Sequence, residues 1–180
     1  FVQLSSSGAS ADAASEYSRS RAGGEAAVRE LIAQADVMRP SIIFGPEDSF
    51  FNRFAGMTRI GPVLPVAGAN TRFQPVYVDD VAKAAEKAIM GEAASGIYEL
   101  GGPDVETFRG LMQRMLKVIH RRRMVLNMPW LLAKLVAFGF DMLQAVSFGL
   151  FTNTMLTRDQ VKNLRNDNAV GADAKGFAEL

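Results

Sequence analysis

Short apolar runs alternate with stretches of helical period along this chain, and that alternation limits the folds open to it more than any other feature. Phe1–Ser5 is an apolar run that ends in small polar residues. From Ser15 to Ala35, the residues Tyr17, Ala27, Val28, Leu31, Ile32 and Ala35 recur at helical spacing. The adjacent Gly23 and Gly24 weaken that helix by roughly 1 kcal/mol each, so a close approach to the backbone is expected there. Val37–Phe44 reads as a second strand, closed by Gly45 and Pro46. The spacing then predicts a short helix over Ser49–Arg59 with Phe50, Phe51 and Phe54 inward, and loop over residues 60–73, which hold four Gly or Pro. Gln74–Val78 is extended, Asp79 caps a helix running to Met90, and Ile97–Leu100 is a strand. Thr107 opens a helix to Ile119, Met124–Leu126 is a brief strand, and Thr157 with Gln160 forms a capping box for a last helix. Alternation of this kind predicts an α/β sheet with helices against its faces.

Composition excludes several chemistries. The chain has no cysteine and a single histidine, His120. That removes disulfides, thiolate metal ligation and a cysteine nucleophile, and leaves no basis for a histidine-rich metal site or a Ser-His-Asp triad. Net charge is only +1, yet Thr107–Phe140 carries seven basic residues (Arg109, Arg114, Lys117, Arg121, Arg122, Arg123 and Lys134) and no acid. Arg121–Arg123 lack the interleaved aromatic residues of a nucleic-acid surface, so no nucleic-acid partner is expected. Between Trp130 and Phe151 the strongly polar residues are Lys134, Asp141 and Gln144, which fall within about 80° of one another on a helix. Every other direction is apolar, and such a surface either buries in protein or lies at a membrane interface. Phe1 opens directly on a strand, with no visible signal peptide, and both ends look cut, so a fragment of a longer chain is expected.

Four features occur in a telling order: Ser5-Ser6-Ser7 after a strand, Tyr17 ten residues beyond Ser7, the run Arg39–Pro46, and the run Gln74–Ala82. This set resembles the carboxyl-terminal half of the extended and atypical short-chain dehydrogenase/reductases. Gly45–Phe54 and Leu156–Val161 are similar to the branch containing the nucleotide-binding accessory subunit of respiratory complex I. The resemblance implies the C-terminal half of a Rossmann-like doubly wound parallel sheet over 1–103, and a small, mostly helical C-terminal region over 104–180. It implies NAD or NADP as cofactor, with the pyrophosphate held by a glycine-rich turn at a helix N-terminus. No such turn occurs at a strand–helix junction here, so the nicotinamide-side half of the site is expected.

The family pattern is carried over residue by residue. Tyr17 matches the general acid/base tyrosine, and Arg21 stands where active members have the lysine that lowers the tyrosine pKa and holds the nicotinamide ribose. Arginine keeps the charge but cannot deprotonate, so proton relay through that position is not expected. Ser7 matches the serine that hydrogen-bonds the reacting oxygen. Ser5 lies at the strand end near the cofactor, and Pro40, Ser41, Ile42 and Ile43 match the segment lining the nicotinamide. By spacing alone, Tyr17 and Arg21 are also an ordinary i,i+4 pair, and Ser7 an ordinary strand exit. Asp79 and Asp80 read as helix-start carboxylates rather than an acid/base pair, Glu47 and Asp48 as a solvated loop, and His120 as a surface histidine. The function implied is an NAD(P)H-binding, structural or regulatory subunit of NADH:ubiquinone oxidoreductase. Complex I subunits and an anionic membrane surface contacted through 107–151 are its implied partners, on the matrix or cytoplasmic face. The alternative is an active dehydrogenase, reductase or sugar-nucleotide epimerase/dehydratase.

Overall fold

The computed structural model describes residues 1–146 and 157–180. In chain order the elements are β1 (Val2–Leu4), α1 (Glu16–Leu31), β2 (Asp36–Pro40), β3 (Ile43–Phe44), α2 (Phe51–Met57), β4 (Val63–Ala67), β5 (Arg72–Phe73), β6 (Val76–Tyr77), α3 (Val78–Met90), β7 (Ile97–Leu100), β8 (Glu106–Thr107), α4 (Phe108–Val118), β9 (Met124–Met128), α5 (Trp130–Val146) and α6 (Arg158–Asn163), closed by a 3-10 turn at Phe177–Glu179. Contacts group them into two units, Phe1–Arg53 with Arg72–Glu106 and Asn168–Leu180, and Phe54–Thr71 with Thr107–Asp167. The division is discontinuous along the chain.

The first unit is built on a parallel sheet of order β1-β2-β7. Val2–Leu4 lie beside Asp36–Met38, and Val37–Pro40 beside Ile97–Leu100. Parallel neighbours need crossovers, which is why helical segments separate these strands in the sequence. β2 is central and reads as a buried run, as a strand covered on both faces should. Met38, Val76, Val81, Ala84, Ala88, Tyr98 and Leu100 form the core around it.

Several boundaries differ from the sequence reading. The strand expected over Val37–Phe44 breaks after Pro40, and Ile43–Phe44 pairs instead with Val76–Tyr77. Pro40 has no N–H to extend the ladder, and the Ser41 hydroxyl turns to Asn168. α1 ends at Leu31, and its inward residues are Ser18 and Glu25. Tyr17, Leu31 and Ile32, read as the apolar face, lie outward, with Leu31 86% exposed. The glycine pair marks one close approach: a Cβ on Gly24 would stand 3.3 Å from Gln3 Nε2, whereas Gly23 faces open space. α3 starts one residue before Asp79, with Tyr77 at its N-cap; Asp79 and Asp80 occupy the first turn, where negative charge favours the helix dipole.

In the second unit, the segment expected to be loop contains β4, which pairs in parallel with β9 along Val63–Ala67 and Met124–Met128. Pro65 obscured it, but Pro is tolerated where a strand has a free edge. Leu64 and Val66 point inward and Val125 faces them from β9. α4 buries Phe108, Leu111, Met112, Met115 and Leu116, with the Thr107 hydroxyl accepting from Gly110 N at 3.1 Å. The capping box at α6 is present: Gln160 N donates to Thr157 Oγ1, and Thr157 N to Gln160 Oε1, each at 3.1 Å.

α5 packs through small residues. Ala133 and Ala137 are fully buried beside Ala67 and Val161. On the helix they fall next to the polar stripe of Lys134, Asp141 and Gln144. Asp141 in that stripe pairs with Arg158 Nε at 3.0 Å. The packed side therefore borders the polar stripe, whose Lys134 and Gln144 stay exposed, and Leu131, Leu132, Leu135, Phe138, Met142 and Leu143 face outward. Among the described residues, no helix is long and apolar enough to cross a membrane. Residues 147–151 of the apolar run, and Leu156 of the resemblance, lie outside the described residues.

Candidate functional site

Parallel pairing puts the carboxyl ends of β1, β2 and β7 at one edge of the sheet, where ligands of open α/β sheets bind. Ser5 N donates to Met38 O at 2.7 Å and Ser7 N to Pro40 O at 2.9 Å, so the serine exit of β1 lies alongside the end of β2. Ser41 N continues the pattern to Leu100 O at 2.9 Å. Ser5, Ser7 and Ser41 are all buried. Ile42 and Ile43 are half-buried, with Ile42 O accepting from Val76 N.

Tyr17 and Arg21 sit near the start of α1, which Ser15 caps by accepting from Ser18 N. The Arg21 guanidinium lies over the Tyr17 ring, 5.0 Å from its centroid. That is a cation–π contact with the ring face. Tyr17 is 45% exposed.

Below these groups is a cluster that the sequence reading missed. The Ser5 hydroxyl donates to Glu25 Oε1. Arg39 grips the same carboxylate with both arms, Nε to Oε1 at 2.9 Å and Nη2 to Oε2 at 2.5 Å. Arg39 Nη1 also approaches Glu99 Oε1 at 3.8 Å. The hydrogen bond to Glu25 raises the Arg39 pKa above its ordinary value, against the desolvation that burial imposes. One signal was available: a charged residue between Met38 and Pro40 in a buried strand requires an opposite charge nearby.

The fit to a nicotinamide dinucleotide is testable on these residues. Ser6 Oγ is buried at the strand exit without a hydrogen-bond partner among the described residues. An orphaned hydroxyl there, beside buried Ser7 and the apolar Pro40–Ile43 segment, suits a ligand with a polar ribose and a flat, weakly polar ring. Ser41 fits less well, because its hydroxyl is engaged with Asn168 Oδ1 at 2.5 Å.

The other candidates have local roles. Asp48 Oδ1 accepts from Phe51 N at 2.5 Å, so it caps α2 rather than standing in a solvated loop. Arg121 Nη1 donates to Ala55 O at 3.0 Å and Thr58 Oγ1 at 2.6 Å, and Arg123 Nε to Thr58 O at 2.8 Å. Two of the three consecutive arginines thus satisfy carbonyls in the last turn of α2 and just past it, where positive charge complements the helix dipole. His120 ends α4 with a positive φ of 54°.

A parallel sheet with its serine exit, tyrosine helix and Pro-Ser-Ile-Ile segment at one carboxyl edge makes an α/β, Rossmann-like fold, shared with solved nucleotide-sugar epimerases and reductases. No protein-family model matches the chain. Its homologues include the mitochondrial NADH dehydrogenase (ubiquinone) 1 alpha subcomplex subunit 9 of Arabidopsis thaliana, 35% identical over 100% of this chain and 46% of that protein. A ceramide reductase of Caulobacter vibrioides is 29% identical over 72% of this chain and 41% of its own length. The fold matches the UDP-glucose 4-epimerase of Thermus thermophilus in its complex with NAD, with a TM-score of 0.55 and 18% identity over 71% of this chain and 50% of that one. The chain spans just under half the length of the curated relatives it matches.

Proposed function

We propose that the whole protein is a nicotinamide-dinucleotide-binding accessory subunit of NADH:ubiquinone oxidoreductase, structural or regulatory rather than catalytic. The observation that carries this reading is similarity along the entire chain to a protein named as a subunit of that dehydrogenase. The stacking of Arg21 on the Tyr17 ring supports the non-catalytic part, because the cation is engaged with the ring face and arginine relays no proton. A bound nicotinamide would supply hydride exchange. Ser7 would donate to a polar atom beside the ring, Arg21 and Tyr17 would hydrogen-bond the ribose, and Pro40, Ile42 and Ile43 would exclude water from the ring. Ser5 stands next to this set and is held by Glu25. The same residues suit NAD and NADP.

The outward apolar face of α5 and the exposed cations Arg109, Arg114, Lys117, Arg122 and Lys134 support a peripheral seat on an anionic membrane surface. The "mitochondrial" in the relatives' names favours the matrix side. The test is co-sedimentation of the full-length protein with the respiratory complex after mild detergent extraction. A protein recovered free in the soluble fraction would refute the reading.

The buried Ser7 beside Pro40, together with Tyr17 and a relative named as a ceramide reductase, favours a second reading, an active reductase. Hydride transfer by the full-length protein that disappears in Tyr17→Phe would establish it.

A further inference from the structure

Three elements carry the catalytic candidates and the first of the nicotinamide-lining residues: β1 and its exit with Ser5 and Ser7, α1 with Tyr17 and Arg21, and the end of β2 with Pro40 and Ser41. The cluster of Ser5, Glu25 and Arg39 takes one member from each. Glu25 and Ser5 are 5% and 7% exposed, and Arg39 is partly buried. We infer that Glu25 is a positioning residue: its carboxylate, gripped by Arg39 and Ser5, sets the roll and axial position of α1 against both strands. It thereby sets where Tyr17 and Arg21 stand relative to Ser7 and Pro40. The inference rests on the nucleotide-binding reading above.

Stability alone does not call for this arrangement, since a buried ion pair replaced by apolar groups of similar volume commonly leaves a protein as stable or more so. What the ion pair adds is direction, because a two-armed guanidinium–carboxylate fork tolerates one orientation. Tyr17, Arg21 and Glu25 recur every four residues along one helix. A rigid helix carries any displacement at Glu25 to the other two, and a slip of one residue moves them about 1.5 Å. Gly24, next to Glu25, lies close to β1 as well: a Cβ there would stand 3.3 Å from Gln3 Nε2. The network extends to β7, since Glu99 approaches Arg39 and accepts from Gly171 N at 2.9 Å.

The test uses the full-length protein carrying Ser5→Ala, Glu25→Leu and Arg39→Met together, which leaves neither Glu25 nor Arg39 as a lone charge, while Glu99 keeps its hydrogen bond from Gly171 N. NADPH affinity is read from nicotinamide fluorescence, and amide exchange over residues 16–22 by mass spectrometry. The expected result is a retained cooperative melt, faster exchange in α1, and affinity weakened about tenfold or more, the order that misplacement by about 1 Å can cause. Unchanged affinity and exchange in the folded triple variant would overturn the inference. Should that variant not fold, Arg39→Lys decides, because it keeps the charge and loses the fork. Weakened affinity in Arg39→Lys upholds the clamp, and full affinity overturns it. If the unaltered protein binds neither NADPH nor NADH, the nucleotide reading itself fails. Exchange alone then judges the clamp, with faster exchange in the variants upholding it and unchanged exchange overturning it.

Discussion

His120 takes the left-handed backbone conformation because α4 stops there in a six-residue cap. Arg121 N donates to Leu116 O at 2.9 Å and His120 N to Lys117 O at 3.2 Å. This hydrogen-bond pair favours glycine at the position His120 occupies. Replacing His120 with Gly is expected to stabilise the protein by roughly 0.5 kcal/mol or more, read as a higher midpoint in thermal melts. Gly102 is the reverse case: a Cβ there would lie 2.0 Å from Pro75 O, a backbone atom that cannot step aside. Gly102→Ala is expected to cost about 1–3 kcal/mol in denaturant melts. Tyr98 is fully buried, and its hydroxyl donates to Ala94 O. Burial first, then the charges of Asp36 and Glu179, raise its pKa above the ordinary 10.0. The folded state thus favours the protonated phenol. That contribution is complete below the unfolded value and is lost as pH rises through the folded one. Alkaline unfolding is therefore expected to coincide with phenolate absorbance, and Tyr98→Phe to move the alkaline midpoint upward.

Helix roll is the property that separates expectation from outcome at the scale of elements. Spacing located α1, α2, α3 and α4, the capping box located α6, and the caps at Ser15, Thr107 and Thr157 are where local chemistry puts them. For α1 and α5, however, the buried side is not the most apolar side. α1 turns Glu25 inward to meet Arg39, and α5 turns Ala133 and Ala137 inward because small residues let it lie close against Ala67 and Val161. Ala137→Leu is accordingly expected to overpack and cost about 1–3 kcal/mol. Leu135→Asp on the outward face is expected to shift stability by no more than about 0.5 kcal/mol, while weakening binding of the full-length protein to anionic vesicles. Parallel melts and vesicle flotation check the pair. β4 escaped the sequence reading for a related reason: strand character there comes from its partner β9, some sixty residues away, and not from its own Pro-containing run.

At the scale of the whole molecule, the near-neutral net charge conceals a basic second unit, but two of its three consecutive arginines are half-buried and spent on local hydrogen bonds. Arg121 and Arg123 close α2, and the exposed cations are the scattered ones. The candidate nucleotide site proposed above was legible as a series of residues, Ser5, Ser7, Tyr17 and Pro40–Ile43, because their order resembles the motif order of the short-chain dehydrogenase/reductases. Its inner pair of Glu25 and Arg39 was not: Arg39 signalled a need for an opposite charge, but the sequence did not say which element supplies it. With no glycine-rich turn in the sequence, the 180-residue chain alone is expected to bind NADPH far more weakly than the full-length protein. Micromolar affinity in fluorescence titration of the chain would contradict that. The sequence by itself determined where α1 to α4 form and where Thr107 and Thr157 cap, because each depends on neighbours within a few positions. Only the tertiary structure decided which face each helix buries, where β4 finds its partner and which charges pair. Those outcomes are set by the fit between elements far apart in the chain, and a buried charge takes its partner from whichever segment packs against it.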